Sequence, residues 1–119
     1  MAVTVGTDLV HVPRLARSLG RATFLDRAFT PAEQEFCAGR ADRFAGRWAV
    51  KEAAMKALHH GLGEVAMTEI EVEREPSGAP VLRLHGRAAA LAAEAGWISW
   101  AVSIAHDGDY ATAVVVAQT

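Results

Sequence analysis

Apolar positions recur every second residue near both ends of this chain and every third or fourth residue through much of its middle. Over Ala2–Leu9, Val3, Val5, Thr7 and Leu9 share one side and Thr4, Gly6, Asp8 and Val10 the other, which predicts a strand. Pro13 suits the first turn of a helix running to Leu19 or Gly20. Thr30-Pro31-Ala32-Glu33 supplies a cap, a proline at the first helical position and an acid for a capping box, so a short helix is predicted to about Ala38, stopping at Gly39. Between Arg43 and Leu58, Phe44, Trp48, Met55 and Leu58 fall on one bulky arc at about 100° per residue, with Ala49, Ala53 and Ala57 opposite. A helix apolar nearly all round is expected to be buried. Asp42 is its predicted cap, and Gly61, after His59-His60, its left-handed terminator.

From Met67 the period returns to two. Ile70 and Val72 alternate with Glu69, Glu71 and Glu73, the turn Pro76–Pro80 follows, and Val81–His85 returns as a partner strand. The glutamates read as surface. An alanine-rich helix is predicted from about Arg87 to Ala95, ended by Gly96. Ile98, Trp100, Val102 and Ile104 then alternate with Trp97, Ser99, Ala101 and Ser103, and Asp107-Gly108-Asp109 turns the chain into an almost wholly apolar Tyr110–Ala117. That last strand is expected to be central in a sheet or buried in an interface. The fold class is α+β: a single domain with a long buried helix packed on a mostly antiparallel sheet.

Charge changes this picture inside the long helix. Lys51 falls within the apolar arc, Glu52 lies beside Trp48, and Lys56 follows one turn later, all where charge is costly. One account is a Glu52–Lys56 pair at i, i+4 with Lys51 extending along its stem to water. The other is the floor of a site that holds a carboxylate and ammonium groups rigidly, as for a metal and phosphates. Asp8 admits the same two readings, a helix cap or a site carboxylate, with Gly6 leaving room on its face. Arg14, Arg17 and Arg21, at i, i+3 and i+7, form a basic stripe that is either a solvated face or a docking surface for an acidic partner.

Composition narrows the classes. The 119 residues carry a formal charge of −2, so no overall basic field suggests nucleic acid. The single cysteine, Cys37, excludes an internal disulfide and reads as a core residue; with no leader or spanning segment at MAVTVGTDLV, a cytoplasmic setting without membrane attachment is expected. His59 and His60 are expected to face solvent or the helix C-terminal dipole. His106-Asp107 reads as a hairpin turn, with a phosphohydrolase metal pair as the rival reading.

Three segments together, Gly6-Thr7-Asp8-Leu9-Val10, Trp48-Ala49-Val50-Lys51-Glu52-Ala53-Ala54-Met55-Lys56-Ala57 and Ser103-Ile104-Ala105-His106-Asp107, resemble the 4′-phosphopantetheinyl transferases. Their order and spacing match the small holo-acyl-carrier-protein synthase class over essentially the whole chain. The resemblance implies transfer of the phosphopantetheine arm of coenzyme A to a serine of an apo acyl carrier protein, of fatty-acid or polyketide synthesis, with Mg²⁺ required and adenosine 3′,5′-bisphosphate released. Carried over by motif, Asp8 and Glu52 bind the metal, Lys56 contacts a phosphate, and Lys51 orients phosphate or helps the leaving group. Arg47, Gly78, Pro80 and His106 join Lys51 and Lys56 in holding coenzyme A, and Arg14, Arg17 and Arg21 dock the carrier.

Three positions depart from the family pattern. Val10 stands where the larger members have a second acid, so a third ligand must be water or substrate; Ala105 replaces a usual serine and Ala79 a frequent lysine. The larger members contain two copies of this unit with the site between them. The resemblance therefore implies a homotrimer with three sites at subunit interfaces. A binding subunit that has lost turnover is the alternative from another class, and the paired acids Asp8 and Glu52 argue against it. The proton acceptor stays open among Glu52, Asp8 and a metal-bound water.

Overall fold

The computed structural model describes residues 2–61 and 63–119. Among the described residues, five strands and five α-helices follow in the order β1 (Val3–His11), α1 (Val12–Leu19), α2 (Ala22–Ala28), α3 (Pro31–Cys37), α4 (Ala41–Leu58), β2 (Ile70–Arg74), β3 (Pro80–Leu84), α5 (Gly86–Glu94), β4 (Ser99–Asp107) and β5 (Tyr110–Gln118), with a single 3-10 turn at Met67–Glu69. The expected α+β architecture is present. β5 is the central strand of an antiparallel sheet ordered β1-β5-β4, and β2 and β3 form a separate antiparallel hairpin.

α4 packs along one face of the three-stranded sheet, and twelve of its eighteen residues are buried. Its hydrophobic positions spread around the axis, as expected of a helix enclosed on most sides. Glycine makes the close approach to β1 possible. A Cβ on Gly6 would stand 1.9 Å from the carbonyl oxygen of Ala53 and 2.8 Å from the Ala57 nitrogen. The room that Gly6 leaves is therefore filled by the α4 backbone, and Asp8, two residues on along β1, is directed to the same side.

The other face of the sheet is apolar and uncovered. Val3, Val5 and Leu9 are 68%, 55% and 65% exposed, and Val116 on β5 adds to them. The alternation in β1 thus carries its larger aliphatic side chains outward and packs Gly6 and Val10 inward.

Several boundaries differ from expectation. α2 has no capping side chain, which removes the signal by which a short helix is read. Arg40, not Asp42, is the N-cap of α4; Asp42 sits in its first turn and pairs with Arg40 at 2.7 Å. His59, not Gly61, takes the left-handed conformation after α4, with φ of 61°. Glu69 and Glu71 are tethers as well as surface: Glu69 accepts from the backbone of Ala66 and Arg87, while Glu71 accepts from the Thr30 hydroxyl at 2.7 Å and lies 3.0 Å from His85 Nε2. Thr30 and Glu33 do form the capping box of α3.

Candidate active site

Residues from β1 and α4 meet at one place. Asp8 arrives from β1 on the α4 side of the sheet, and Glu52 and Lys56 arrive one turn apart on α4. Lys56 Nζ lies 3.1 Å from Asp8 Oδ1, so its partner is the strand acid and not Glu52. Lys56 is more than half exposed while Asp8 is largely covered, which directs an ammonium to solvent from the rim of a sheltered carboxylate.

Glu52 is held in an unusual state. Burial, the hydrogen bond to Asp8 and the charge of Asp8 push its carboxyl up to about 7, against opposing contributions from Lys56 and a hydrogen bond to Trp48. The Glu52 carboxyl, buried beside the Asp8 carboxylate, is poorly compensated by the chain itself. Asp8 Oδ2 is also buried without a hydrogen-bond partner. Both features fit a divalent cation, which would relieve the repulsion and engage the unpaired oxygen. Among the described residues no group of three or more His, Cys, Asp and Glu gathers to hold a metal. Two carboxylates plus substrate oxygens and water are what a small hard cation accepts.

Cavities open on either side of Glu52. One, of about 250 Å³, is bordered by Glu52, Trp48, Val10, His11 and Arg14, and runs toward the basic helix α1. The other, of about 210 Å³, is lined by Glu52, Met55, Lys56, His60 and Gly61.

Lys51 does not belong to this site. Its side chain is fully buried, and Nζ donates to Glu33 Oε1 at 2.8 Å and to the carbonyls of Met67 and Ile70 at 2.9 and 2.6 Å. All three ammonium donors are used, so the expected contact with a phosphate is corrected to a structural one. Glu33 completes the network by accepting from Val72 N at 2.9 Å, which ties α3, α4 and β2 together. Glu33 escapes a sequence reading because the capping box already accounts for it.

The other expected coenzyme A residues make their described contacts with other partners within this chain. Arg47 is buried with its guanidinium 3.9 Å over the Phe36 ring, where Arg43 and Arg74 also stack. His106 Nε2 lies 2.9 Å from the Asp42 carbonyl, against the glycine at position 46 in the first half of α4. Gly78 occupies the β2–β3 turn with φ of 92°, and Pro80 borders a groove with Trp100 and Val102. None of the hydrogen bonds made by Arg47 or His106 reaches Asp8, Glu52 or Lys56.

Arg14 and Arg17 are exposed on α1, whereas Arg21 lies beyond it as the N-cap of α2. The three arginines thus span two helices. No ion pair among the described residues neutralises any of them. Cys37 is fully buried and its thiol is pushed up to about 11 by burial, which agrees with a core role.

Comparison with known proteins places this geometry. The family model for the 4′-phosphopantetheinyl transferase superfamily matches residues 4–115. A holo-(acyl-carrier-protein) synthase of Gloeobacter violaceus is 47% identical over 117 residues, covering 93% of this chain and 89% of that protein. A Chronobacterium ammoniagenes ACPS–CoA complex superimposes with a TM-score of 0.90 at 38% identity, covering 99% of this chain and 98% of that one. The Helicobacter pylori holo-(acyl-carrier-protein) synthase in complex with coenzyme A gives 0.86 at 32% identity, covering 96% and 99%.

Proposed function

This chain belongs to the 4′-phosphopantetheinyl transferase superfamily, and we propose that it transfers the phosphopantetheine arm of coenzyme A to a serine of an apo acyl carrier protein, releasing adenosine 3′,5′-bisphosphate. The observation that carries the reading is the joining of Asp8, Glu52 and Lys56 on a fold that superimposes on the coenzyme A complex of a synthase.

The chemistry asks three things of the protein. The serine oxygen must line up with the phosphorus that bears pantetheine, the phosphate must be held, and charge growing on the leaving group must be offset. Lys56, an exposed ammonium beside Asp8, supplies a point charge for phosphate oxygens. Asp8 and Glu52 would hold Mg²⁺, which when bound polarises the phosphate and neutralises its charge. The cavity toward α1 joins Glu52 to the basic helix, and Arg14, Arg17 and Arg21 present unpaired positive charge to an acidic carrier.

The separation of Arg47, Gly78, Pro80 and His106 from the carboxylates favours sites shared between copies of this one-domain chain. We propose a homotrimer in which one protomer contributes Asp8, Glu52 and Lys56, and its neighbour contributes the nucleotide contacts. The uncovered apolar face of β1 and β5 is an area such an assembly would bury. The buried, reduced Cys37 suits a cytoplasmic setting. No described helix is long and apolar enough to cross a membrane.

Incubating the protein with coenzyme A, Mg²⁺ and several apo carrier proteins, and weighing each carrier by mass spectrometry, tests the reading. Addition of the arm to a carrier, blocked by a chelator, is the expected result. No mass gain on any carrier overturns it.

A further inference from the structure

Beyond α4, the loop brings a second ionisable pair to the cavity shared by Glu52 and Lys56. His60 Nδ1 is hydrogen-bonded to the carboxylate of Glu64, and the other Glu64 oxygen accepts the Gly61 backbone N–H at 3.2 Å. These two bonds hold Glu64 below the usual carboxylate range, so it stays ionised at neutral pH. The Glu64 carboxylate takes the Nδ1–H of His60 as a hydrogen bond, which leaves Nε2 as the ring's acceptor nitrogen. The His60 side chain is 32% exposed and lines the cavity of about 210 Å³.

We propose that His60 Nε2 accepts the proton of the acceptor hydroxyl, with Glu64 as the group that fixes its tautomer and stabilises the imidazolium. This rests on the transferase reading above. As the serine oxygen bonds to the phosphorus bearing pantetheine, its proton passes to Nε2. The bond from that phosphorus to the bridging oxygen breaks, and the electron pair leaves with adenosine 3′,5′-bisphosphate. The imidazolium then returns the proton to solvent, so the chain ends unchanged.

The residues around the cavity leave this part to His60. Met55 and Gly61 carry no titratable group, and Lys56 donates to Asp8. Glu52 shares a hydrogen bond with Asp8 and is placed to hold the cation. His60 alone among those lining groups combines an imidazole with an orienting carboxylate, the arrangement that activates hydroxyl nucleophiles generally.

The test is turnover of His60→Ala at saturating Mg²⁺ and coenzyme A, at pH 8.5, with a series of added imidazoles. Loss of general-base assistance lowers kcat by about 10²-fold or more. Circular dichroism and the KM for coenzyme A should stay near those of the unaltered chain. Imidazoles should restore the rate in proportion to their basicity, a response a purely structural loss would not give. Glu64→Gln should lower kcat by less and gain nothing from imidazole. Unchanged kcat in His60→Ala overturns the inference, as does a folded variant that no imidazole rescues. An unaltered chain that modifies no carrier overturns the transferase reading and this one with it, so the two failures are distinguishable.

Discussion

Lys51 Nζ lies 2.8 Å from Glu33 Oε1, and neither side chain is exposed to solvent. This pair ties α3 to α4 one residue before Glu52, and its backbone partners Met67, Ile70 and Val72 extend the tie to β2. Removing one member leaves a buried charge and orphaned carbonyls. Lys51→Met should therefore cost about 3–5 kcal/mol in urea denaturation, whereas adding Glu33→Gln, which removes the unpaired charge but keeps an acceptor for Val72 N, should recover part of the loss. Specific activity of the folded double variant should stay within several-fold of the unaltered chain. Complete loss of turnover in that folded protein would return Lys51 to the chemistry.

Glu52 makes stability depend on pH in a definite direction. Between the ordinary carboxyl range and about 7, the folded protein keeps a proton that the unfolded chain has released. Stability from this group therefore falls as pH rises through that window. Denaturation midpoints of the metal-free protein should decline between pH 5 and 8, and Glu52→Gln should flatten that part of the decline. Mg²⁺ competes with the same proton, so it should raise Tm more at pH 8 than at pH 5.5. An equal or larger Mg²⁺ effect at the lower pH would remove Glu52 from the metal site.

The three unpaired arginines predict a kinetic split. Arg14→Glu with Arg17→Glu reverses charge on an exposed face of α1. The KM for an acidic carrier should rise about tenfold or more at low salt, because rim charges act mainly through encounter. The KM for coenzyme A should not move, and the difference between variant and unaltered chain should shrink as salt is added. Equal effects on both substrates would show that these side chains do something other than dock the carrier.

Asp8, Glu52 and Lys56 were legible in the sequence because period and motif agree: β1 alternates, α4 repeats every turn, and both elements are long. Lys51 was misread because its partner is eighteen residues away, at a position whose local role in the α3 cap already seemed complete. Gly6 shows the same limit. Its missing side chain signalled an approach, but only the packing of β1 on α4 reveals that backbone fills the gap. His60 and Glu64 share i, i+4 spacing, yet they lie in a loop beyond a left-handed His59, where helical periodicity carries no information. Local patterns specify elements, while pairings across elements depend on the tertiary arrangement.

Shared sites make a prediction that the assembly alone can satisfy. Val5 and Val116 are cross-strand partners on the uncovered sheet face. Val5→Asp with Val116→Asp should give a monomer in sedimentation and remove most activity while keeping circular dichroism, because charge blocks burial of that face without touching the core. Glu52→Gln and His106→Ala should each be nearly inactive alone for a different reason: one lacks a metal ligand and the other a nucleotide contact. Unfolded together at equal concentration and refolded, they should regain about a quarter of the unaltered rate, since random assembly pairs an intact Glu52 with a neighbour's intact His106 at one site in four. Recovery requires both halves to come from different protomers. No recovery in mixtures that sediment as trimers would place every contact within one chain and overturn the shared site.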